Sequence, residues 1–307
     1  MLKSIVDGRI HLVTQPDHAQ ISGALAAHWG GANGFAMPGQ FDGAHRPRAW
    51  RNEVVLAIAE HDNGWWEWEA MPTISPHDGL PIGLGEASRT PDPTERARWR
   101  AEGFDRWRRG VGRLSERHPY AALLVSMHAY WLYAVAFDDL RGTYGDTLRH
   151  PLFGDEDVVR DLDDDAPAVR SFLEDLATIQ QGLRKRTAAD ERMAGAERGR
   201  HLFANARLVQ HLDALSLVIG LHDMDDHIVR DVPRASWDDR ISMVWTRRGR
   251  STIVIQPYPF IIDPLPVSMP ARIVEAEASR RPAHARNGLA GLHGARRGMI
   301  EVTLSSE

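Results

Sequence analysis

Five side chains are of types, and at positions, that could do metal chemistry: His18, the pair His61-Asp62, His128 and Asp213. A neutral imidazole and a carboxylate are the donors that suit a first-row divalent ion. The dipeptide His-Asp carries little weight alone, because it occurs three times, at 61, 77 and 222. Placement separates the first from the others. Trp50, Val54, Ile58, His61 and Trp65 fall three or four apart, so the spacing predicts a helix over Trp50 to Asp62 that sends His61 to its apolar face and stops at Asn63-Gly64. His77-Asp78 sits among prolines and glycines, where a surface turn is expected. His222-Asp223 and the acids up to His227 lie where a helix should end, and such residues are ordinary capping and solvation features.

The elements that must position these residues follow from the same periodicities. Asp7-Gly8 predicts a tight turn between strands Leu2–Val6 and Arg9–Thr14. A helix opening at Gln15-Pro16-Asp17 and closing before Gly30-Gly31 turns Ile21, Leu25 and Trp29 inward, and one turn before Ile21 it turns His18 inward as well. After the Trp50 helix comes a long proline- and glycine-rich loop, Met71 to Pro93, of the kind that often covers a site. Thr94 to Arg117 is helical, with Trp99, Trp107, Val111 and Leu114 inward and arginines interleaved with glutamates outside, a solvated face. Pro119 to Phe137 is apolar on nearly every side but carries Ser126 and His128 near its middle, which reads as a buried central helix and not a membrane span.

Pro167 opens a helix faced by Val169, Phe172, Leu176 and Leu183, and a further helix, roughly Ala188 to Leu221, places Asp213 among Leu212, Leu215 and Ser216. The acidic run Asp161 to Asp165 lacks the glycine and spacing of a calcium loop. Ile241–Thr246 and Ser251–Gln256 read as a β-hairpin, Pro257 to Pro266 as an edge or rigid connector, and Met299–Leu304 as one more strand. The expected organisation is mainly α, one domain over residues 1–307. Its helical core spans 15–230, and 1–14 with 240–307 form a β appendage in which the N-terminal hairpin and the C-terminal strands make one small antiparallel sheet.

Composition narrows the function. A net charge of −5 and a pI near 6.3 argue against nucleic acid as a partner. Only Lys3 and Lys185 among 37 basic residues are lysine, a bias that fits codon usage better than phosphate binding. The absence of cysteine excludes thiolate nucleophiles, disulfides and Cys-ligated zinc or iron–sulfur centres, so any metal is held by histidine and carboxylates. No apolar stretch follows Lys3, so no secretory signal is read and a cytoplasmic protein with no membrane partner is expected. A small-molecule substrate is the expected partner, and an oligomer remains possible.

Four helices thus each present a polar residue on an apolar face. A buried carboxylate or imidazole without a partner is costly. One metal ion would satisfy them all together, whereas a hydrogen-bonded network would satisfy each separately, and the residues alone leave both open.

In order and placement the set resembles the HD-domain superfamily, helical metal-dependent phosphohydrolases with His, then His-Asp at a helix end, then Asp on a late helix. That resemblance implies an HD-domain-like helical bundle in which His18, His61, Asp62 and Asp213 bind a divalent ion (Mn, Fe, Zn or Mg). It also implies a phosphorylated substrate, with Asp62 orienting the attacking water and His128 serving a second metal or the substrate phosphate. More closely, Gln15-Pro-Asp-His18-Ala-Gln, His61-Asp-Asn-Gly64-Trp65, Leu123-Leu-Val-Ser-Met-His128 and Pro257-Tyr-Pro-Phe260 look like the bacterial family catalogued as domain of unknown function 3891. Asn-Gly-Trp-Trp stands after His61-Asp62 where HD phosphohydrolases commonly have Ile-Gly-Lys, so phosphate binding would fall to an arginine such as Arg207. Trp65, Trp66 and Trp68 either wall the pocket or pack as core. The same ligand set would support a two-iron oxygenase if His128 and His118 completed a second site, and a metal-free binding or regulatory module is the third reading.

Overall fold

The structure is a computed structural model that describes residues 1–31, 33–43, 46–75, 77–86, 90, 92–141, 149–152, 165–222, 226–275 and 294–307. The acidic run from Asp161 to Asp164 and the segment Asp223 to Asp225 lie outside the described residues.

Strands β1 (Leu2–Val6) and β2 (Arg9–Val13) are joined by Asp7 and Gly8, both at positive φ, as a two-residue hairpin turn requires. Helix α1 (Gln15–His28) follows at once: the Thr14 side chain accepts from the Asp17 N–H, and Pro16 sits where its missing N–H costs nothing. Then come α2 (Arg48–Ala59), a 3-10 turn (Asn63–Trp65), α3 (Trp66–Ala70), α4 (Pro93–Ser115), α5 (Pro119–Ala134), α6 (Asp138–Arg141), α7 (Ala166–Ala189) and α8 (Arg200–Leu221). The periodic apolar pattern from Ala188 to Leu221 is two elements and not one, because Asp190 caps a short 3-10 turn and Gly195 and Gly199 adopt positive φ between α7 and α8.

Strands β3 (His227–Pro233), β4 (Arg240–Arg248), β5 (Thr252–Gln256), β6 (Leu265–Glu275) and β7 (Arg296–Ser305) complete one sheet of order β1-β2-β6-β7-β5-β4-β3. All its pairs are antiparallel except β5 with β7.

The mainly α, HD-domain-like bundle with a small antiparallel sheet is therefore corrected. About 50% of the protein is helical and 22% is strand, in a curled, mixed, seven-stranded sheet too large to be an appendage. Two strands escaped the sequence for physical reasons. The register of β3 shifts between Val229 and Val232, with Asp231 at positive φ, and such a bulge destroys the alternation by which a strand is recognised. β6 carries Pro266 and Pro270, yet it lies inside the sheet. It pairs with β7 along its length and with β2 only from Arg272 to Glu275, so both prolines fall where β6 has one neighbour and the missing N–H has an open side to face.

One apolar core joins the two layers, with α5 at its centre, its residues from Tyr120 to Ala129 all buried, and α1 and α8 lying between the other helices and the sheet. Gly220 lets α8 approach the sheet: a Cβ there would lie 2.8 Å from Leu2 Cδ1 and 3.2 Å from Met269 Sδ.

Candidate metal centre

His18 is on the first turn of α1, and Ser22, one turn on, faces the same way. The close passage of α1 against α2 depends on Gly23, where a Cβ would collide with Ala59. α2 ends at Ala59, so His61 and Asp62 lie in the turn after the helix and not in its last turn as the spacing suggested. Asn63-Gly64 does not end a helix through a left-handed residue. Instead the chain enters the 3-10 turn, and Gly64 is needed because any Cβ there would collide with the Arg106 carbonyl of α4. Arg113 of α4 donates to the Asn63 carbonyl and pairs with Glu67. His61-Asp62 is thus pinned between α1 and α4.

These elements bring His18, His61, Asp62, His128 of α5 and Asp213 of α8 into one buried cluster, none more than 5% exposed. His18 Nε2 lies 3.0 Å from Asp62 Oδ2. His61 Nε2 lies 3.8 Å from Asp62 Oδ2 and 3.3 Å from Asp213 Oδ1. His128 Nε2 lies 3.4 Å from Asp213 Oδ2. Two groups have donor atoms close enough to share an ion: His18, His61 and Asp62; and His61, His128 and Asp213. Ligand bonds of about 2.0–2.2 Å put neighbouring donors about 3–4 Å apart, the separations found here.

The proton on His61 is fixed by what its ring can do. Nδ1 lies 2.8 Å from the Ile58 carbonyl, which can only accept, so Nδ1 carries hydrogen. In the neutral ring Nε2 is then a lone pair, and this atom is buried without a hydrogen-bond partner, aimed at two carboxylates. Either a proton or a cation must sit there. Burial alone would lower the His61 pKa, but the charges of Asp213 and Asp62 outweigh it and raise it to about 9. Burial would raise the Asp213 carboxyl, yet His61 together with hydrogen bonds from His128 and His150 holds it well below the usual range. On the other side of His18, Nδ1 meets Ser216 Oγ at 2.8 Å, and Ser216 also bonds Ser22 and the Asp213 carbonyl, which fixes the orientation of the ring.

His150 was not anticipated. It reaches the cluster from the loop residues 149–152, is buried, and places Nε2 3.1 Å from Asp213 Oδ2; burial lowers its pKa. A histidine before proline in a loop has no helical face to betray it.

Other candidates are elsewhere. His118 is half-exposed and pairs with Glu53 at 2.8 Å, at the start of α5 and not beside His128. Arg207 is 3% exposed and donates to the carbonyls of Arg149 and Arg230 and to Gln210 Oε1, so its guanidinium braces backbone, with its pKa lowered to about 10 by burial. Trp65 packs edge-on against Trp107, 4.8 Å between centroids, and Trp107 packs against His128, which makes Trp65 a second layer behind the cluster. Trp66 is exposed, and Trp68 lies under the Arg106 guanidinium.

Residues 1–276 match the family described as protein of unknown function DUF3891. The chain belongs to that family. No curated protein and no solved structure matches it. Within the family match lie all six polar residues of the cluster, from His18 to Asp213. Among the described residues no helix is long and apolar enough to cross a membrane.

Proposed function

We propose that this protein is a metal-dependent hydrolase in which His18, His61, Asp62 and Asp213 hold one divalent ion and the substrate is a small phosphate ester. The observation that carries the reading is the position of His61 Nε2, buried and facing two carboxylates, where a proton or a cation must sit. Two imidazoles with two carboxylates favour Mn, Fe or Zn over Mg, which prefers oxygen and water. The order of donors along the chain, His then His-Asp then Asp, is that of HD-type phosphohydrolases and supports the phosphoester; the fold gives it no support.

An ion held there would lower the pKa of a bound water and draw charge from a phosphoryl oxygen. Asp62, whose Oδ2 lies 3.0 Å from His18 Nε2, would orient that water and accept its proton. His128 has Nε2 toward Asp213 and a buried Nδ1 without a partner, which places it to pass a proton to a leaving oxygen. The two candidate groups share His61, whose ring has a single lone pair, and His118 is absent from the cluster. Both facts favour one ion over the two of an iron-pair oxygenase.

Elemental analysis of untagged protein from metal-replete cells tests this. About one equivalent of Mn, Fe or Zn is expected, with release of nitrophenol from a nitrophenyl phosphate by the loaded protein. Less than about a tenth of an equivalent would leave a metal-free module as the reading.

A further inference from the structure

His150 sits beside the proposed ion as a fourth imidazole, and its proximity suggests another ligand. Its hydrogen bonds say otherwise. The Leu152 backbone N–H donates to His150 Nδ1 at 3.2 Å. A backbone amide can only donate, so Nδ1 presents a lone pair, and the proton of the neutral ring must be on Nε2. Nε2 then donates to Asp213 Oδ2 at 3.1 Å. A ring nitrogen that carries hydrogen has no lone pair for a metal. Coordination through Nε2 would move the proton to Nδ1, against the Leu152 N–H, two donors facing each other in a buried loop.

The loop leaves little room for the ring to turn out of this arrangement. Arg207 of α8 donates to the Arg149 carbonyl at 2.5 Å, and His227 of β3 donates to the Pro151 carbonyl at 2.8 Å. Both carbonyls flanking His150 are therefore tied to other elements, and Pro151 restricts the backbone of His150 itself. Arg207, one of the arginines to which phosphate binding could have fallen, is half of this clamp.

We infer that His150 is a positioning residue and not a metal ligand: its Nε2–H holds Asp213 Oδ2 so that Oδ1 is turned toward His61 and the ion. The inference rests on the metal reading above and deepens it.

Glutamine can place a side-chain N–H near the position of His150 Nε2 but is a poor ligand for Co(II), Zn(II) or Mn(II). The test titrates Co(II) alone into chelator-treated full-length wild type, His150→Gln and His150→Ala, following affinity and the visible absorption of the bound ion. His150→Ala should bind about 10–100-fold more weakly, the usual loss when a residue orienting a ligand is removed. His150→Gln should recover most of that affinity and keep the wild-type cobalt spectrum. A changed spectrum in His150→Gln, or a loss equal to that of His150→Ala, would make His150 a ligand and overturn the inference. Wild-type affinity in His150→Ala would overturn it too, since nothing would then depend on the donor. If His150→Ala fails to fold, the spectrum and affinity of His150→Gln against wild type decide. Wild type that binds no Co(II), Mn(II) or Zn(II) would sink the metal reading itself, which a wild type that binds normally keeps distinct from failure of the role given to His150.

Discussion

The two oxygens of Asp213 belong to one carboxylate and meet opposite chemistry. Oδ1 lies 3.3 Å from a histidine nitrogen whose proton is on the far side of the ring, committed to the Ile58 carbonyl. Oδ2 lies 3.1 Å from a histidine nitrogen whose proton points at it. The first contact sets acceptor against acceptor and calls for a positive charge between them; the second is complete as it stands. Identical residue types at similar distances thus do different work, and the difference is set by which backbone group each Nδ1 meets.

Removing the imidazole on the Oδ1 side should break this asymmetry most. His61→Ala is expected to weaken Mn(II) or Zn(II) binding by more than the about 10–100-fold typical of residues that only orient ligands, measured by equilibrium dialysis. Unchanged affinity would place the ion elsewhere.

The metal-free protein should show the same asymmetry as pH dependence. His61 is raised from 6.5 to about 9, so its proton stabilises the folded state fully below pH 6.5 and progressively less as pH rises through 9. At 1.36 kcal/mol per unit, the loss is at most about 3 kcal/mol. Urea unfolding of chelator-treated protein between pH 6 and 9.5 should reveal it, and His61→Gln should flatten the profile. A wild-type profile no steeper than that of the variant would mean that the carboxylates do not hold a proton there.

A third change acts through position. Gly64→Ala forces a methyl into the Arg106 carbonyl and should cost about 1–3 kcal/mol. It should also weaken metal binding, because Gly64 lies two residues after Asp62 in the same turn, and thermal melts with and without Zn(II) would separate the two effects. The smallest effect belongs to His118→Gln. Its half-exposed pairing with Glu53 contributes about 1 kcal/mol or less, and metal uptake should not change; a drop in uptake would return His118 to the centre.

Part of this centre could be read in the chain. His18, His61, His128 and Asp213 show themselves because a polar residue interrupting an apolar helical face is conspicuous, and burial in a core makes it expensive. His150 has no such frame, being fixed by contacts to α8 and β3 that no local pattern encodes. The sheet was underestimated for a related reason. Pro266 and Pro270 in β6, and the shifted register at Asp231 in β3, break the signals by which strands are recognised, although each is harmless where its neighbours leave an open side. The turn holding His61-Asp62 looked helical because the apolar spacing of α2 runs on past Ala59, while the chain itself bends to meet α4.

The proposed ligands come from α1, the turn after α2 and α8, with His18 near one end of the chain and Asp213 far along it. No fragment that stops short of α8 contains the complete set. Acquisition of the proposed ion would therefore be a late event in the life of the molecule, possible only once synthesis has passed Asp213 and the helices have come together. The bound ion would then fasten the first helix to the last, so that α1 could not peel away without releasing it.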